Sequence, residues 1–179
     1  LSPLRQSHKL MPGFHATRRD AAALLVGARF AWDEMPERYH DKCVFLPENA
    51  IDAERFPRRE QPPFAEPLRV AFVGRLVDSH KGIFRLPKIM AACRRNGIDS
   101  RLTVIGEGPD GSALMRAFRA EGVADIVRCV GALPPGQVAS ALRDHHALVF
   151  PTNTEGMPLV VLEAQANGCV VLTSTLPGI

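Results

Sequence analysis

The chain has no C-x-x-C pair and no D-x-D pair. Its four cysteines, Cys43, Cys93, Cys129 and Cys169, sit in separate segments. That scatter argues against a zinc site or a disulfide framework and favours small reduced thiols in a reducing, cytoplasmic compartment. Without D-x-D, a metal–diphosphate clamp of that kind is excluded. No apolar run reaches the length of a membrane span, and no signal peptide is visible. Internal repeats and low-complexity tracts are also lacking. The formal net charge of +3 favours anionic ligands only weakly and does not point to nucleic acid. The chain opens on Leu1 rather than Met and is expected to be a fragment.

What is present is a soluble composition, 46% hydrophobic and 23% charged over 179 residues. That suffices for one ordinary domain and an appendage. From Leu68 onward strands and helices alternate. Strands are expected at 68–73, 101–105, 126–130, 147–150 and 169–173. Helices are expected at 82–95, 109–121, 135–144 and 158–167. Alternation with short connections predicts an α/β fold, a Rossmann-like parallel sheet with helices on both faces. Before it, 21–26 and 43–46 read as strands and 30–39 as a helix. Three elements cannot bury a core alone, so residues 1–56 read as the tail of a preceding domain and its connection. Residues 57–67 read as a Pro-rich linker, and 68–179 as the main domain.

The run Thr154-Glu155-Gly156-Met157-Pro158-Leu159-Val160-Val161-Leu162-Glu163-Ala164 places two carboxylates eight positions apart. Glu155 lies in a glycine-containing loop after the strand at 147–150. Pro158 suits a first helical turn, which needs no hydrogen-bonding N–H. The loop thus delivers a helix N-terminus to the carboxyl end of a strand, where phosphate or polar sugar groups bind. Glu163 sits among apolar residues, and a carboxylate there needs a partner. A ribose diol and a neighbouring Arg are both candidates.

Arg75 follows the strand ending at Gly74, and Lys81 stands at the next helix start. Both suit phosphate oxygens. Gly106-Glu107-Gly108-Pro109-Asp110-Gly111 matches G-x-G-x-x-G. The following strand ends in Val130-Gly131 with no ribose-binding acid, and Pro109 lacks an N–H. This segment therefore reads as a tight turn lining the cleft, not a nicotinamide site. His145 and His146 read as structural, an imidazolium being mildly favourable at a helix C-terminus. His8, His15 and His40 are isolated.

Together these pieces resemble the group 1 (family 4-like) retaining glycosyltransferases of the GT-B fold. The resemblance rests on Leu46-Pro47-Glu48-Asn49-Ala50-Ile51-Asp52 with Phe56, on GRL with KG at 74–82, on GEGP at 106–109, on VG at 130–131 and on the 150–168 run. Departures are Ala50, Cys169 and Pro177-Gly178, none of which touches the charged set.

The resemblance implies a C-terminal domain that binds a nucleotide-sugar donor, UDP-linked or GDP-linked, with no cofactor and no metal. Arg75, Lys81 and Glu155 would be the catalytic set. Gly74, Gly106, Leu133, Gly156, Met157, Pro158, Leu159 and Glu163 would bind the donor, with Leu133 near the base and Glu163 on the ribose. A carbohydrate or lipid-linked acceptor would come through an N-terminal domain. That leaves room for peripheral contact at the inner membrane surface, and the fragment alone would be inactive. The alternatives are a non-catalytic nucleotide-binding module and an NAD-dependent oxidoreductase domain.

Overall fold

The computed structural model describes residues 12–47, 49–51 and 67–176. The Asp52 and Phe56 ends of the first motif, the linker apart from Pro67, and Pro177-Gly178 lie outside the described residues. Two compact units divide between residues 48 and 49.

The first unit contains α1 (Pro12–Asp20), β1 (Leu24–Val26), α2 (Arg29–Asp33), a 3-10 helix (Glu37–Lys42) and β2 (Cys43–Phe45). The helix expected over 30–39 is broken. Pro36 has no N–H to donate and disfavours helical backbone at the residue before it. It takes up ψ 134°, so α2 stops at Asp33 and a 3-10 helix follows. The strand expected from residue 21 begins at Leu24, and α1 has no counterpart in the sequence reading. β1 and β2 pair in parallel, Leu24 with Cys43 through Val26 with Phe45. Leu25, Val44, Phe45 and Leu46 are exposed.

The second unit is the expected parallel α/β sheet. Its strands are β3 (Leu68–Val73), β4 (Ser100–Ile105), β5 (Val127–Gly131), β6 (Ala147–Phe150) and β7 (Val170–Thr173), in the order β5-β4-β3-β6-β7. Every pairing is parallel. The connecting helices are α3 (Asp78–Lys81), α4 (Arg85–Arg95), α5 (Gly111–Ala120), α6 (Pro135–Arg143) and α7 (Leu159–Ala166). Central parallel strands are covered on both faces and so read as unbroken apolar runs. All four residues of β6 are buried. Phe72 and Phe150 stack with centroids 6.4 Å apart. Leu86 and Met90 of α4, Leu114 and Phe118 of α5, Leu142 of α6 and Ala164 of α7 complete the core.

Two element boundaries set the shape of the loops at the strand ends. The helix expected over 82–95 begins at Arg85 as α4, and Lys81, expected at its start, instead ends the separate short helix α3. Gly82 closes α3 in the left-handed conformation, φ 57° and ψ 32°, which glycine adopts without a Cβ penalty. A Cβ there would overlap the Pro151 carbonyl. Pro158 stands one residue outside α7, as its N-cap with ψ 113°, rather than in its first turn.

His145 ties α6 to the sheet. Its Nδ1 lies 2.8 Å from the Ala141 carbonyl and so carries the proton, while Nε2 lies 2.9 Å from the Thr103 hydroxyl and accepts from it. Burial pushes the His145 and His146 imidazoles below the usual range. The sequence reading of an imidazolium at this helix end is thereby corrected to a neutral ring. The unfolded chain titrates these groups near pH 6.5, so between the lowered folded value and pH 6.5 it binds more protons than the native state. Their stabilisation is complete above about pH 6.5 and is lost as pH falls through that window. Urea unfolding should therefore show lower stability at pH 5.5 than at pH 7.5, with a smaller difference in His145→Gln. An unchanged difference would separate the pH response from this ring.

Candidate functional site

The candidate residues gather at the carboxyl ends of β3, β4, β5 and β6. The first group is built around α3. A four-residue helix cannot stand on its own backbone, and its neighbours hold both ends. Asp110 accepts the Asp78 N–H at 2.8 Å. Asp78 in turn accepts the Phe84 N–H at 2.9 Å. The Asn153 amide donates to the Asp78 carbonyl at 3.0 Å, and the Asn153 backbone N–H to the His80 carbonyl at 2.8 Å.

Lys81 therefore leaves α3 in a defined direction. Its ammonium lies 5.1 Å from the Phe150 ring centroid and donates to Glu155 Oε1. The two side chains are only 23% and 12% exposed, so solvent screens the pair far less than a surface one. The Thr152 hydroxyl lies 2.9 Å from the same Glu155 oxygen.

The second group lines an open cleft of about 380 Å³ that includes Gly74, Arg75, Gly106, Glu107, Ala132 and Leu133. Arg75 is exposed, and among the described residues no carboxylate pairs with it. Gly106 has φ 139°, and a Cβ there would overlap the Gly74 carbonyl; one at Gly108 would overlap the Leu76 carbonyl. The two loops are joined by Leu76 N–H to the Glu107 carbonyl (2.9 Å) and Asp110 N–H to the Leu76 carbonyl (3.1 Å). These glycines thus serve loop-to-loop contact, in keeping with a tight turn beside the cleft. A methyl group on Gly74 would lie 3.8 Å from Lys81 Cε, so Gly74 adjoins both groups.

The third group is α7 and the loop before it. Gly156 faces open space. The Met157 carbonyl accepts from the Asn49 side chain, which gives that motif residue a role the sequence alone did not assign. Pro158 and Leu159 bring the N-terminus of α7 to the strand ends, where its first N–H groups lack intrahelical acceptors. Glu163 is half-buried, and burial raises its carboxyl above the usual range. Among the described residues no side chain donates to this carboxylate, the Asn167 amide reaching only the Glu163 backbone carbonyl at 2.8 Å.

The structure thus brings Lys81 and Glu155 into contact and sets Gly74, Arg75, Gly106 and Leu133 along one cleft. Glu163 is joined to neither by a hydrogen bond or an ion pair. Sequence reasoning missed Thr152, Asn153, Asp78 and Asp110. The two aspartates carried a legible signal, since each precedes or begins a helix. Among the described residues no group of three or more His, Cys, Asp or Glu could hold a metal ion, and no helix is long and apolar enough to cross a membrane.

Removing one partner of a shielded pair leaves the other charge poorly solvated. Lys81→Met should cost about 1–3 kcal/mol of stability, and adding Glu155→Gln should recover part of that loss. Urea unfolding of both variants at pH 7.5 checks it. Strictly additive losses would show that the two groups are not coupled.

The family described as group 1 glycosyl transferases matches residues 67–179. A glycogen synthase from Mycobacterium tuberculosis is 33% identical over 163 residues, 90% of this chain and 39% of that protein. A D-inositol 3-phosphate glycosyltransferase from Segniliparus rotundus is 36% identical over 114 residues, 62% of this chain and 25% of that one. The chain therefore spans about two fifths or less of the length of these relatives. Among solved structures, the pneumococcal O-GlcNAc transferase GtfA in complex with UDP and GlcNAc superposes with a TM-score of 0.72 at 14% identity, over 92% of this chain and 32% of that one. A glycosyltransferase from Rickettsia africae superposes with 0.74 at 13% identity, over 94% and 49%. Those two likenesses show the shared GT-B fold. With more than half of its length matched, the chain belongs to the group 1 glycosyltransferases.

Proposed function

We propose that this chain is the donor-binding part of a glycosyltransferase that moves a sugar from a nucleoside-diphosphate sugar to an acceptor with retention of anomeric configuration. The observation that carries the reading is the placement at one set of parallel strand ends of Lys81, shielded and paired, and of Arg75, exposed and without a carboxylate partner among the described residues. A leaving diphosphate gains negative charge as the glycosidic bond breaks. Cations and a helix N-terminus already engaged by the bound donor stabilise that charge as it develops. Lys81 and Arg75 take the diphosphate, with the N–H groups at the start of α7 on the same phosphate or on the sugar. Glu155 and the backbone from Gly156 to Leu159 take the sugar. Half-buried Glu163, whose carboxylate has no donor among the described residues, takes the ribose hydroxyls, and the cleft at Leu133 borders the base.

This arrangement supplies the charge compensation that a divalent cation would otherwise give, so we propose donor binding without metal. UDP or GDP is the expected nucleotide, and the UDP in the GtfA complex supports the first. The acceptor, a carbohydrate or lipid-linked sugar, is assigned to a further domain, and this chain alone is expected to bind but not to transfer. The free cysteines suit cytoplasmic work, with peripheral contact at the inner membrane surface for a lipid-linked acceptor.

The two ends of the nucleotide separate experimentally. A hydrogen bond to a charged group contributes about 1.5–3 kcal/mol, so each loss should weaken binding roughly ten- to a hundredfold. In isothermal titration, Arg75→Ala should weaken the nucleoside diphosphate far more than the monophosphate. Glu163→Ala should weaken both alike. Equal losses in Arg75→Ala, or no loss in Glu163→Ala, would overturn the assignment. Binding should also persist in excess EDTA, and its abolition would refute the metal-free reading.

A further inference from the structure

We infer that Thr152 is a positioning residue of the donor site, whose hydroxyl holds Glu155 when the Lys81 ammonium turns to the donor diphosphate. The inference rests on the function proposed above and concerns a residue which that reading does not use. Thr152 follows β6 directly and is fully buried. Its Oγ1 faces three acceptors: the His80 carbonyl at 2.9 Å, Glu155 Oε1 at 2.9 Å and the Thr154 carbonyl at 3.3 Å. A hydroxyl carries one hydrogen. It can serve one of the three well, so where that hydrogen goes depends on what else reaches each acceptor.

The His80 carbonyl already accepts the Asn153 N–H at 2.8 Å. Glu155 Oε1 accepts from Lys81. With no ligand, both well-placed acceptors therefore have a donor besides Thr152. Once Lys81 moves to a phosphate oxygen, Glu155 loses its cation inside a site where it is only 12% exposed. The carboxylate then becomes the acceptor most in need of a donor, and hydrogen bonds to ionised groups are the stronger ones. Rotation about one C–O bond delivers the Thr152 hydrogen to it. No backbone movement is required, because His80 keeps Asn153.

Without the hydroxyl, Glu155 would depend on Lys81 alone, and the diphosphate would have to compete with a carboxylate for the ammonium. Thr152→Val, nearly isosteric, should therefore weaken binding of the tighter of UDP and GDP by about tenfold. Thr152→Ser restores the hydroxyl and should stay within about threefold of the unaltered chain. Glu155→Gln removes the charge that competes for Lys81, so in that background Thr152→Val should add nothing.

Isothermal titration of the unaltered chain, the three single variants and Thr152→Val/Glu155→Gln tests this, with circular dichroism to confirm folding. Loss in Thr152→Val that is rescued by Ser and absent in the Glu155→Gln background supports the inference. No loss, or the same loss in both backgrounds, overturns it and leaves the donor-binding function standing. A chain that folds only with a hydroxyl at position 152 would make Thr152 a folding determinant and overturn it as well. Failure of the unaltered chain to bind either nucleotide removes the donor-binding reading itself, and this inference with it.

Discussion

The site depends on the shielded ion pair between Lys81 and Glu155. Two opposite charges this little exposed compensate one another, and removing one leaves the other poorly solvated. Much of the local architecture serves to put them in reach. The α3 turn has too few residues to hold itself, so Asp110 from the β4–α5 loop and Asn153 from the β6–α7 loop hold its two ends. Gly82 turns the chain at once into α4, in a space where the Pro151 carbonyl leaves no room for a side chain. Phe150, stacked on Phe72 in the core, presents its ring to the ammonium. Packing of the sheet and placement of the charge are thus one construction. In the proposed donor site a phosphate arriving at Lys81 would replace Glu155, and whatever then satisfied Glu155 would contribute to affinity.

The main unit was legible in the sequence because its physics is local. Central parallel strands buried on both faces are plain apolar runs, as in β6, and glycines mark where β3, β4 and β5 end. The first unit was harder. Pro36 sits inside an otherwise helical pattern and divides it into α2 and a 3-10 helix. The helix read from residue 82 begins only at Arg85 for a related reason. Gly82 reads equally as an early helix residue or a stop, and only the approach of Pro151, far away in the chain, decides between them.

The charged residues were legible by position, since Arg75 and Glu155 lie in loops after strand ends and Lys81 in the short helix that follows β3. Their relations were not. That Lys81 pairs with Glu155, while Arg75 has no carboxylate among the described residues, comes from how the β3–α3 and β6–α7 loops meet. Thr152 was illegible because a threonine after a strand is unremarkable until its three acceptors are seen. His145 shows the same limit: its place at a helix end suggested a charged ring, and burial against Thr103 makes it neutral.

The central claim is that the Lys81–Glu155 pair is the resting state of a diphosphate site. The most direct measurement is a crystal structure of this chain with a bound nucleoside diphosphate. In it the Lys81 ammonium should lie on a phosphate oxygen, Arg75 on the same diphosphate and the ribose at Glu163, with Glu155 released from Lys81. A nucleotide bound with the Lys81–Glu155 pair intact, or lying along the 106–111 turn with its phosphates away from Lys81, would contradict it.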